Sequence, residues 1–126
     1  MGKLRVLVVD DEEEFTSTLV ERLELRSIVA VGATKALDAF DIVGRMGLDV
    51  VLLDVKMPGL GGFYLLKEIK AMKPNLPVVL LTGHGSKMDA EEGMRIGAHD
   101  YLMKPVDIEA LIAVLRRAAN QERVGE

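Results

Sequence analysis

The sequence predicts a doubly wound α/β domain, a five-stranded parallel sheet with helices on both faces, and three observations carry that prediction. Five short apolar runs, at residues 4–9, 28–31, 50–53, 78–81 and 101–103, are near-continuous in Val and Leu, which is what strands buried on both faces require. The segments between them repeat apolar residues at helical spacing. Apolar residues make up 49% of the chain but aromatics only 4%, with no Trp, so the core must be aliphatic, a composition that suits a sheet covered by helices.

Each gap between runs carries its own helical stripe. After the first run, Phe15, Leu19, Val20 and Leu23 share one helical face; after the second, Ala36, Leu37, Phe40 and Val43 do. Leu65, Leu66, Ile69 and Met72 repeat the pattern, and Ile108, Leu111, Ile112 and Leu115 give it most clearly. Segment 86–96 is weaker, with Met88 and Met94 among Lys, Asp, Glu and Arg, and predicts a less firmly packed helix. Asp107 is placed to cap the last helix, and Arg116 and Arg117 lie in its final turns, where cations favour the helix dipole. Five β-α units in succession predict right-handed crossovers. We read residues 1–126 as one domain with its core at about 4–119 and with 120–126 as a polar tail or the start of a linker.

Composition also excludes classes. Without Cys there is no disulfide framework and no thiolate zinc site, and the cytoplasm is the default location. Lys3 and Arg5 precede an apolar run, but 6–9 is too short for a signal segment and meets Asp10 and Asp11 directly. No segment approaches the ~20 apolar residues of a membrane span. A formal charge of −4 at pH 7 disfavours direct nucleic-acid binding.

In a parallel sheet every strand ends on the same edge, and ligands bind there. The first strand runs into Asp10 and Asp11, the third into Asp54, the fourth into Thr82 and the fifth into Lys104. Taken singly, each has an ordinary structural explanation: an acidic first helical turn, a turn residue, a strand-end hydroxyl, a solvated tip. Taken together they make three carboxylates, a hydroxyl and an ammonium in one crevice. Crowded carboxylates raise one another's pKa unless a cation sits among them, and hard oxygen ligands suit Mg²⁺, or Mn²⁺ in its place. A carboxylate beside such an ion can attack phosphorus, with Lys104 neutralising the phosphoryl oxygens and Thr82 donating one hydrogen bond.

Val-Val-Asp-Asp at 8–11, Leu-Leu-Asp-Val-Lys-Met-Pro-Gly at 52–59, Leu-Leu-Thr-Gly-His-Gly at 80–85 and Gly-Ala-His-Asp-Tyr-Leu-Met-Lys-Pro at 97–105 resemble the receiver domains of two-component response regulators. The resemblance runs from Leu4 to about Ala119. It implies a flavodoxin-like sheet of order 2-1-3-4-5, Asp54 as phosphoacceptor, Asp10 and Asp11 as Mg²⁺ holders, Thr82 and Lys104 on the phosphoryl group, and Tyr101 as the switch aromatic. It further implies a cis Lys104–Pro105 bond, the Lys56 carbonyl as a third protein ligand beside Asp11 and Asp54, and Asp10 acting on the ion largely through water. The expected phosphodonor is a sensor histidine kinase, a phosphotransfer protein or a small phosphodonor. Output is expected through the fourth helix, fifth strand and fifth helix, to an output domain, a partner protein or a phosphorylation-dependent second copy. Departures from the common family pattern lie at Arg26 and at Gly32 and Ala33, which touch helix ends.

Three other readings compete. An Asp-nucleophile phosphohydrolase of the haloacid dehalogenase type places a second Asp two residues after the first, where this chain has Lys56. A flavodoxin-like cofactor binder needs a phosphate loop after the first strand, and none is present. A degenerate receiver acting only as an interaction scaffold has lost a site residue, and here none is lost. Lys56 and His84, two positions after Asp54 and Thr82 respectively, are expected to tune hydrolysis of the aspartyl phosphate. As isolated side chains, His84 and His99 read as polar surface.

Overall fold

The computed structural model describes residues 2–56, 61–83 and 87–121. Five strands and five helices alternate along the chain: β1 (Arg5–Val9), α1 (Glu13–Glu24), β2 (Val29–Ala33), α2 (Ala36–Arg45), β3 (Val50–Asp54), α3 (Gly62–Met72), β4 (Val78–Thr82), α4 (Lys87–Ile96), β5 (Asp100–Met103) and α5 (Ile108–Ala119). All strand pairs are parallel, and the sheet order is β2-β1-β3-β4-β5, the order the family resemblance implies.

The central strands β1, β3 and β4 are apolar over most of their length because each serves two cores. Leu7, Val9, Val51, Leu53, Val78 and Leu80 face α2, α3 and α4, where they meet Ala39, Val43, Leu65, Leu66 and Ile69. The alternate residues Val6, Val8, Val50, Leu52, Val79 and Leu81 face α1 and α5, where they meet Leu19, Leu23, Leu111, Ile112 and Leu115. Period-2 alternation is therefore present in direction and hidden in chemistry. Among the described residues no helix is long and apolar enough to cross a membrane.

Some expected core residues lie outside. Leu37 is 78% exposed, because the inward stripe of α2 is Ala36, Ala39, Phe40 and Val43 and Leu37 falls one position off it; Met72, the last residue of α3, is 42% exposed. Met88, at 82% exposed, does not anchor α4. That helix meets the sheet through Ala90 and Gly93, and a Cβ on Gly93 would collide with the Leu80 side chain, so small residues let its backbone lie close to β4. His99 is buried, not surface. The turn from α4 hugs the sheet there: Gly97 and Ala98 N–H both donate to the Gly93 carbonyl, and His99 N–H donates to Val78.

The N-terminal turn of α1 is tied to β2 by a contact that the sequence does not announce. Thr16 is buried, and its hydroxyl lies 2.9 Å from both the Asp10 and Glu12 carbonyls. Its methyl would stand 2.6 Å from a Cβ at position 32, so Gly32 makes room for Thr16 and thereby for the acidic loop. Gly32→Ala is expected to destabilise the domain by ~1–3 kcal/mol through overpacking. Thr16→Ser removes the methyl and keeps the hydroxyl, so denaturant unfolding of Gly32→Ala/Thr16→Ser should recover most of that loss. Additive losses in the double variant would mean that the two positions do not meet.

Candidate functional site

The C-terminal ends of the strands converge on one acidic crevice. Val9 pairs with Leu53 in the β1–β3 ladder, so Asp10 and Asp54 leave adjacent strands at the same level. Asp10 is 1% exposed and Asp54 6%. Each is held in position by the backbone just beyond it: Glu12 N–H donates to Asp10 Oδ1 and Lys56 N–H to Asp54 Oδ1, both at 3.0 Å. Asp11 is exposed, and carboxylate oxygens of Asp10, Asp11 and Asp54 lie within 4.8 Å of one another. This all-oxygen set is the kind a hard divalent cation takes.

Lys104 closes the crevice from the end of β5. Its Nζ donates to Asp10 Oδ2 at 3.0 Å and pairs with Asp54 Oδ2 at 3.5 Å and Glu12 Oε1 at 3.6 Å. Asp107 caps α5 by accepting from Ala110 N–H, and the Lys104–Pro105 bond is cis, as expected. On the far side the ammonium lies over the Phe15 ring, 4.5 Å from its centroid.

These groups shift one another. Burial pushes the Asp54 carboxyl above its ordinary value; the Lys56 N–H pulls it down, the Asp10 charge pushes it up, and Lys104 lowers it again, leaving it raised. Burial alone would lower Lys104, but the hydrogen bond to Asp10 and the charges of Asp54, Asp10 and Glu12 outweigh it and hold the ammonium charged.

Thr82 is fully buried at the end of β4, beside the Leu81 that pairs with Asp54, and its hydroxyl donates to the Leu102 carbonyl at 3.3 Å. Tyr101 is half-buried against the core on the α4 side. Lys56 has an exposed side chain. His84, Pro58 and Gly59 lie outside the described residues. The sequence reading missed Glu12, Phe15 and Thr16 at this site. Phe15 reads as one more member of an apolar stripe, and only Thr16, a hydroxyl among Leu19 and Leu23 at helical spacing, carries a signal that could have been noticed.

A parallel α/β domain with a lysine-closed carboxylate crevice at its strand ends is the architecture of a phosphoryl-accepting switch. Residues 6–116 match the response regulator receiver domain family, and the chain belongs to it. Acceptance of a phosphoryl group by Asp and binding of Mg²⁺ at an Asp cluster are general to that family. The chain is 36% identical over 124 residues to the transcriptional regulatory protein FixJ of Azorhizobium caulinodans, covering 95% of this chain and 59% of that protein. It is 40% identical over 115 residues to the transcriptional regulatory protein CpxR of Escherichia coli, covering 89% and 47%. Among solved structures, a response regulator receiver domain protein from Clostridium thermocellum matches with a TM-score of 0.87 at 34% identity, covering 94% of this chain and 95% of that one. The chain spans about half the length of these two curated relatives.

Proposed function

We propose that this receiver domain takes a phosphoryl group onto Asp54 from a phosphohistidine of a sensor kinase or phosphotransfer protein, or from a small acyl phosphate. The observation that carries the reading is the Lys104 ammonium, which stands within ion-pair distance of both Asp10 and Asp54. An Asp54 oxygen attacks phosphorus, the bond from phosphorus to the donor nitrogen or oxygen breaks, and the leaving imidazole or carboxylate departs with that electron pair. Attack requires ionised Asp54, which Lys104 favours, and Lys104 then lies beside the oxygens that carry the transferred charge. Asp11, Asp54 and the Lys56 carbonyl are the ligands we assign to Mg²⁺ or Mn²⁺, with Asp10 acting largely through water; the ion, when bound, supplies charge neutralisation at the phosphoryl oxygens. Incubation with acetyl phosphate and Mg²⁺ followed by peptide mass mapping tests the assignment, and an adduct on any other residue rejects it.

Output rests on Thr82 and Tyr101. To reach a phosphoryl group on Asp54, the Thr82 hydroxyl gives up the 3.3 Å bond to Leu102, a long and therefore weak tie. The space it vacates is the space Tyr101 fills, which carries the change to the surface formed by α4, β5 and α5, where the output domain or partner protein docks. This is a population shift between two packings. Thr82→Ala is expected to be phosphorylated yet to leave amide NMR shifts on that surface largely unmoved; wild-type-like shift changes would break the coupling.

Lys56 and His84 are the residues we assign to tuning hydrolysis of the aspartyl phosphate. Lys56 is long and cationic, and it lacks an acceptor with which to orient water. Lys56→Ala should therefore shorten the phosphoryl lifetime several-fold. A longer lifetime would mean that Lys56 assists attack. A neutral imidazole can accept a proton from water, so His84→Ala should alter the pH dependence of release.

A further inference from the structure

We propose that Phe15 is a positioning residue for phosphoryl transfer: its ring face holds the Lys104 ammonium at the height of Asp54. The inference rests on the assignment of Asp54 as phosphoacceptor and adds a residue that the acidic motif does not contain. Lys104 Nζ is 4.5 Å from the ring centroid, well inside the ~6 Å range of a cation–π contact. The Lys104 side chain is only 24% exposed, so water screens this attraction less than it would at an open surface.

The geometry makes the ring the ammonium's counterweight. Among the described residues, the carboxylates that touch Lys104, those of Asp10, Glu12 and Asp54, belong to the acidic crevice. A cation entering that crevice competes with Lys104 for Asp10 and Asp54. Phe15 does not take part in that competition. It packs against the core under α1 and α5 and, with Gly83, Lys104, Pro105 and Val106, lines the concavity beside the crevice. A lysine has a flexible four-carbon stem and loses much rotamer freedom when fixed. A neutral partner that stays in place while the carboxylates change partners keeps the ammonium near Asp54 throughout.

A purely structural Phe15 would need only its volume, and a cation–π partner needs its electron-rich face. Replacing Phe15 with mono-, di- and trifluorinated phenylalanine preserves shape and weakens the face stepwise. Two readouts are taken: the rate of phosphorylation by acetyl phosphate with Mg²⁺, and the NMR order parameter of the Lys104 ε-methylene in metal-free protein. Both are expected to fall with each fluorine, the rate by about 3- to 10-fold across the series, the span a partly desolvated cation–π contact supports. Phe15→Leu should match the trifluorinated protein, and Phe15→Tyr, which keeps the ring, should restore the wild-type rate to within ~2-fold. A flat order parameter rejects the contact, and a flat rate with a falling order parameter rejects its role in transfer. Wild-type protein that takes up no phosphoryl group rejects the Asp54 assignment instead, and a falling order parameter in the same experiment would still support the hold of Phe15 on Lys104.

Discussion

Asp54→Asn is expected to leave the domain unable to take a phosphoryl group from acetyl phosphate and, at neutral pH, more resistant to heat than the wild type. The first effect comes from removal of the attacking oxygen's charge. The second comes from where that charge sits. Burial, with Asp10 adding to it, raises the Asp54 pKa in the folded state against the pull of the Lys56 N–H and Lys104. A carboxyl whose folded pKa exceeds its unfolded value stabilises the fold below the unfolded value, and that contribution is lost as pH rises through the folded one. At neutral pH the ionised carboxylate is therefore a net cost to the fold. Asn keeps an acceptor for the Lys56 N–H at 3.0 Å and gives up only the longer of the two Asp–Lys104 contacts, 3.5 Å against 3.0 Å. We expect the melting temperature to rise. The difference should shrink as pH is lowered through the raised Asp54 pKa, where the wild type also becomes neutral. Calorimetry across pH 3–7 (roughly the range in which carboxyls titrate) checks this. A variant less stable than wild type at every pH would contradict the account of Asp54 as a strained buried charge.

Chelation is the second large effect. With EDTA present, phosphorylation should slow ~100-fold or more, the order of rate lost when one preorganised electrostatic stabiliser is removed. The physical reason is already visible without any donor. Among the described residues, one ammonium stands against the carboxylates of Asp10, Glu12 and Asp54, and Asp11 lies in the same cluster. A phosphoryl group brings a further −1.5 to −2 of charge, roughly. Lys104 alone leaves that crevice strongly negative. A readout without turnover comes from binding linkage: Mg²⁺ should raise the melting temperature of the wild type in a concentration-dependent way, and Asp11→Asn should weaken that response. If EDTA leaves the rate unchanged and Mg²⁺ leaves the melting temperature unchanged, the cation site is wrongly assigned.

Much of this was legible in the sequence, for a physical reason. A strand buried on two faces must be apolar at every position, so runs such as Val-Val-Leu-Leu at 50–53 and 78–81 stand out, and the residues just past their ends share one edge of the sheet. Asp10, Asp54, Thr82 and Lys104 were readable because they occupy those positions. Helix faces were less secure. Leu37 and Met88 look like core residues, but small residues seat α2 and α4 against the sheet, and a one-position rotation separates buried from exposed. His99 looked solvated because its burial depends on how tightly the α4–β5 turn closes. What Phe15 and Thr16 touch was hidden for another reason. Their partners, Lys104 and Gly32, are remote in sequence, and contacts that depend on a ring face or on the absence of a Cβ have no local pattern.

The crevice also reports whether the chain is whole. Asp10 and Lys104 meet across 94 positions, and the groups between them arrive on separate strands. During synthesis the acidic loop and Asp54 emerge long before the lysine that completes the site, and Lys104 reaches them only once β5 has docked on β4. A nascent or truncated chain ending before β5 therefore presents carboxylates without their counter-charge. It should be a poor phosphoryl acceptor however much of the sheet has formed. On the assignment of Asp54 as phosphoacceptor, competence for phosphoryl uptake is expected only once folding has reached the last strand.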